Sequence, residues 1–195
     1  MLFVREINRD NWINRQQLDA VCVSDLNNSD NEISVWEVQP NLSDIDDIAL
    51  AVMMRRDRVQ EITIVFLDSV ELNNKYNISM HQTPGNSNFT AMNAKHNNFV
   101  VPTFWEMGYL TEHIQEKLQN PQANTKYYSE PKMKSLLFAA YQGQRIPWTL
   151  SKEMENSNKL LSPWGWLFKF DVAKGEKESI IGRNNNVTIY PLLYC

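Results

Sequence analysis

The six residues Ile62-Thr63-Ile64-Val65-Phe66-Leu67 are apolar at both parities of a two-residue repeat, Thr63 aside. Successive side chains of a strand point to opposite faces, so such a strand must be covered on both sides. The chain therefore has to build at least one layer on each face of a sheet. Its 195 residues, 43% of them hydrophobic and including 6 Trp, 7 Tyr and 8 Phe, suffice for one sizeable core and barely for two. A single domain over 1–195 is expected, with residues 73–98 as a possible irregular insertion.

The flanking periodicities fill in the layers. Leu2, Phe3, Val4 and Ile7 mark a first strand, and Ile33, Val35, Trp36 and Val38 mark a second within 32–38. Asn14, three residues before Gln17, opens a helix whose stripe is Leu18, Val21, Cys22 and Leu26. Ser43 is expected to cap the next helix, lined by Ile45, Ile48, Ala49, Val52 and Met53, with Asp44, Asp46 and Asp47 at its start and Arg55, Arg56 and Arg58 at its end. Thr103 and Glu106 form a capping box before the stripe Met107, Leu110, Ile114 and Leu118, and Pro131 starts a last helix that Gly143 stops. Alternation at Trp166, Phe168, Phe170 and Val172, with turns at Lys174-Gly175 and Gly182–Asn186, predicts a C-terminal antiparallel meander. These elements predict an α+β fold with a mixed or antiparallel sheet and about four helices. Between Asp68 and Val101 the pattern weakens. That stretch reads either as a long functional loop or as a region hiding a strand near Asn77–Met80.

Charge and composition narrow the setting. The net charge is −4, which disfavours nucleic acid as the main partner. It divides unevenly: residues 1–125 carry 9 Lys/Arg against 17 Asp/Glu, and residues 126–195 carry 10 against 6. Such a split can steer a protein partner. Charge appears too early for a secretory leader and no apolar run reaches spanning length, so a cytoplasmic location without a membrane partner is expected. Cys22 and Cys195 do not suggest a disulfide framework, and Cys22, on an apolar stripe, is expected to stay an inert thiol.

No phosphate-binding glycine loop, nucleophile elbow, HExxH or CxxC motif occurs. The sequence names no metal site and no cofactor. His81-Gln82-Thr83 resembles half of the paired His-x-Thr signature of two-histidine phosphoesterases, but His96 and His113 lack the matching residues. Asp68 follows the buried strand, where it would either orient a histidine or cap the next turn through Ser69. Two function classes follow. The first is a non-catalytic protein-binding module, of the inhibitor or immunity type or a subunit of an assembly, with Trp148 and Trp164 as exposed interface aromatics. The second is a small hydrolase or transferase acting on a phosphate- or nucleotide-containing substrate, with His81, His96 and Asp68 converging across 68–101. Lys126-Tyr127-Tyr128 and the basic residues after them have the composition of a stacking platform for single strands, with a solvated surface as the plainer explanation.

Overall fold

The computed structural model describes residues 1–12, 20–26, 31–56 and 59–146, together with the backbone of 169–171 and 176–178. The fold is α+β, built on a six-stranded, wholly antiparallel sheet. In chain order the elements are β1 (Leu2–Ile7), α1 (Arg9–Trp12), α2 (Ala20–Leu26), β2 (Glu32–Glu37), α3 (Ile45–Met53), β3 (Ile62–Asp68) and α4 (Ser69–Tyr76). Then come β4 (Ser79–Gln82), a 3-10 helix (Thr90–Lys95), β5 (His96–Val100), α5 (Phe104–Leu118), α6 (Pro121–Asn124), β6 (Thr125–Tyr128) and α7 (Glu130–Gln142). The strand order is β4-β5-β2-β1-β3-β6. A separate pair joins β7 (Lys169–Asp171) to β8 (Glu176–Glu178); the other residues of the expected C-terminal meander lie outside the described residues.

The two-faced apolar strand behaves as its pattern requires. Ile62, Ile64 and Phe66 of β3 join Val4, Trp36 and Val38 beneath α3 and α7, whose Ile48, Val52, Met53, Met133 and Leu137 close that core. Val65 and Leu67 point the other way, with Phe3, Ile7, Ile33, Val35 and Phe99, beneath α2, α4 and α5. Both edge strands, β4 and β6, are only four residues long, which limits the unpaired backbone offered to another sheet.

Local signals placed the start of α5 and both ends of α7. Thr103 caps α5 as expected, though its hydroxyl accepts the Trp105 N–H, one residue short of the position a capping box uses, and donates to the Glu106 carboxylate. Ser129 caps α7, Pro131 sits in its first turn and Gly143 closes it. Asp44, not Ser43, holds the N-cap position of α3, and its carboxylate makes no capping bond, since it accepts the Gln39 N–H and pairs with Lys95 instead. Asn14 lies outside the described residues.

Residues 68–101 settle the choice left open by the sequence: the hidden strand is there. β4 and β5 pair antiparallel, Met80 opposite Phe99 and His81 opposite Asn98. The turn between them is pinned rather than loose. Asn93 accepts the Ser87 N–H and hydroxyl and returns a bond to the Ser87 carbonyl. Gly85 donates to the Asn93 carbonyl, and a Cβ there would come within 3.1 Å of His96 and 3.0 Å of Trp36. Short polar side chains that close on their own backbone leave no period in the sequence, which is why this stretch reads as featureless.

Candidate functional site

The structure does not gather His81, His96 and Asp68 into one centre. β2 and β1 lie between the strand of His96 and the strand that ends at Asp68, a separation of roughly 14 Å at about 4.8 Å per strand. The sheet order therefore corrects the expected convergence. Asp68 caps α4: its Oδ1 accepts the Val70 and Glu71 N–H groups at 2.8 and 3.1 Å, and its Oδ2 lies 3.7 Å from the α-ammonium of Met1. The Glu71 N–H, helped by the Val70 N–H and that ammonium, holds the carboxyl below its ordinary range. This is the capping alternative, reached through backbone N–H groups.

His96 is buried, its ring edge-on to Trp36 at 5.0 Å and its Nδ1 2.9 Å from the Thr83 carbonyl. Burial pushes its pKa down, the Thr83 bond opposing only in part. Its setting is that of a packed core side chain fixing the Thr83 turn. His81 is half-exposed at the sheet edge, with Nε2 3.3 Å from Glu32 Oε1. Glu32 Oε2 accepts the Asn98 amide, so this carboxylate laces three neighbouring strands together. Among the described residues, no group of three or more His, Cys, Asp or Glu side chains is placed to hold a metal ion. Cys22 is buried, with its Sγ 3.2 Å from the Asn11 carbonyl.

The basic and aromatic residues after position 125 divide into two groups. Trp148 and Trp164 lie outside the described residues. Several of the described ones meet the acidic half: Lys126 Nζ and Tyr128 Oη reach Asp46 Oδ1 at 3.0 and 2.7 Å, Arg145 meets Asp47, and Tyr127 Oη donates to Glu61, while Lys134 pairs with Glu130 of its own helix. The buried Tyr128 phenol is raised far above its usual range, by burial first and by Asp46 second. Lys126 and Arg145 thus bring the basic segment onto the N-terminal turn of α3, at Asp46 and Asp47.

The most unusual surface is one the sequence reading passed over. Phe104 and Trp105, in the first turn of α5, are 78% and 74% exposed, and Tyr109 is 42% exposed. Helical periodicity explains why. Met107, Leu110, Thr111, His113 and Ile114 take the buried arc, which leaves Phe104, Gly108, Glu112, Trp105 and Tyr109 on the opposite one. Tyr109 stacks on Tyr76 of α4 at 5.3 Å, which carries the aromatic surface from one helix to the next. The available signal was two large rings falling off the Met107-Leu110-Ile114-Leu118 stripe, just behind a strong N-cap.

Under this surface lies His113, 1% exposed, with neither ring nitrogen hydrogen-bonded. Glu71 and Glu116 approach only to 3.9 and 4.0 Å, and the Tyr76 ring stands edge-on at 5.9 Å. Burial pushes its pKa down; Glu71 opposes, while Lys117 and Lys75 add to the shift. The folded chain therefore binds a proton here less readily than the unfolded chain, whose histidine titrates near about 6.5. Stability contributed by the neutral ring is complete above that pH and is lost as pH falls below it. His113→Leu is expected to stabilise the fold by about 1–2 kcal/mol at pH 7, by removing two unsatisfied nitrogens. It should also flatten the decline in urea midpoint as pH falls below about 6.5. An unchanged pH slope would refute this account of His113.

No protein-family model, curated protein or solved structure matches the chain. Among the described residues, no helix is long and apolar enough to cross a membrane.

Proposed function

We propose that the chain is a non-catalytic protein-binding module, of the inhibitor or immunity type or a subunit of an assembly, and that α5 carries the contact surface. The observation behind this reading is the exposure of Phe104 and Trp105 side by side on a rigid helix. Two rings held in water forgo the burial energy that drives folding, at about 25 cal/mol per Å², and a partner that covers them recovers it. Trp and Tyr dominate the energetics of protein interfaces because they offer large area at small entropic cost. The fate of the polar candidates supports the same view: Asp68 caps a helix and His96 packs in the core.

The test is affinity capture by the full chain and by the Phe104→Ala/Trp105→Ala variant from the same native lysate. Each exposed ring can be removed with little change in folding stability, within about 0.5 kcal/mol. Each hot-spot ring lost should weaken binding by at least about 2 kcal/mol, roughly 30-fold. A stoichiometric partner that wild type retains and the variant loses, at equal melting temperature, is the expected result. A partner held equally by both would show that α5 is not the surface. Capture of no protein by either would remove the binding reading.

A further inference from the structure

Resting on that reading of α5, we infer that the partner presents a cationic side chain, an arginine in preference to a lysine, within an apolar segment, and that this side chain seats on Gly108. The case begins with a glycine that folding does not require. Gly108 lies inside the fifteen-residue helix, where glycine is less favourable than alanine, and a Cβ added there would meet nothing within 4 Å. No close approach within the described fold and no left-handed backbone explains it. It leaves bare helix backbone at the centre of the exposed arc. Phe104 and Glu112 stand one turn away on either side along one row, and Trp105 and Tyr109 flank it on the next.

The electrostatics of that seat select the occupant. Phe104 and Trp105 are exposed aromatic rings, whose faces attract cations. Of the two carboxylates on this arc, Glu116 is engaged by Lys75 at 3.6 Å. Glu112 is exposed and has no salt bridge to a described residue. A guanidinium lying flat over the Gly108 backbone would stack on Trp105 while donating to Glu112, which its planar fork can do at once and an ammonium cannot. Apolar neighbours in the same segment would cover Phe104 and Tyr109. A neutral apolar segment would instead strip water from Glu112 with nothing in return.

The inference can be tested by selecting random twelve-residue peptides by display on the full chain, then synthesising the winners. Their affinities would be measured for wild type, Glu112→Lys, Gly108→Ala and Phe104→Ala/Trp105→Ala. Expected winners carry Arg or Lys between apolar residues and lose at least tenfold in affinity when that residue is replaced by norleucine. Glu112→Lys should cost at least tenfold as well. Gly108→Ala should weaken binding while raising the melting temperature, a combination that misfolding cannot produce. Winners without a cation, no winners above background, or affinities within twofold for Glu112→Lys would overturn the inference. If peptides depend on Phe104 and Trp105 but ignore Glu112, the cation falls and the protein-binding reading stands. If they ignore Phe104 and Trp105 too, both fall. Dimerisation of the wild type, abolished by Phe104→Ala/Trp105→Ala, would give the seat to a second copy and also overturn the inference.

Discussion

Phe99→Ala is expected to destabilise the fold by about 3–5 kcal/mol, the cost of emptying a large ring from a packed core. Phe99 is wholly buried in the core beneath α2, α4 and α5, and its ring meets Phe3 edge-on at 5.5 Å and 69°. The two residues belong to β5 and β1, which are not neighbours: β2 runs between them. Their contact thus crosses a strand and ties the outer half of the sheet to its middle. With total stabilities of about 5–15 kcal/mol for ordinary domains, the variant should remain folded but with a urea midpoint well below wild type. A cycle with Phe3→Ala should reveal a coupling of about 0.5–1.5 kcal/mol, the value of an edge-to-face pair beyond its area. A loss below about 1 kcal/mol would mean that this core is not packed as described.

The second large effect belongs to Asp25. Its Oδ2 accepts the Trp12 Nε1–H at 2.7 Å and the Asn8 N–H at 3.0 Å, and its carbonyl receives Arg5 Nη2 at 3.4 Å. Arg5 is partly buried with its Nε unpartnered, and Asp25 is the anion that offsets the burial of its charge. Removing the carboxylate leaves the indole N–H of a buried tryptophan without an acceptor and Arg5 without its counter-charge. Asp25→Ala should cost about 2–4 kcal/mol. Asp25→Asn keeps an acceptor of the same shape and should recover roughly half of that. Equal midpoints for Asp25→Ala and wild type in urea titrations would show that this network contributes nothing.

What could be read from the sequence, and what could not, divides along physical lines. Where a fixed apolar period falls on described residues the reading succeeded: β1, β2, β3, α3, α5 and α7 all lie where their apolar residues recur. It faltered where structure is held by short polar side chains, as in the Ser87–Asn93 turn, or where a strand such as Ser79–Gln82 buries almost nothing. The histidines misled for a related reason. Residue type advertises what a side chain can do, but only the strand order shows that His96 and Asp68 sit three strands apart. The α5 surface was legible in principle, since Phe104 and Trp105 break the helix's own period. The prolines beside Trp148 and Trp164 are the louder sequence signal, and those two rings lie outside the described residues.

The strand order also sets a timetable for synthesis. The two central strands, β2 and β1, and their neighbour β3 come first in the chain, so the sheet grows from its middle outward as the chain lengthens. β4 is the exception: it emerges before β5, the strand it pairs with, and must wait for it, about a second at 5–20 residues each second. The helix that closes the face holding Phe3, Val65 and Leu67 comes later still, since α5 ends at Leu118. A nascent chain paused between β3 and α5 would expose to water the part of that apolar face that α5 covers, and it is there that a chaperone would find its grip.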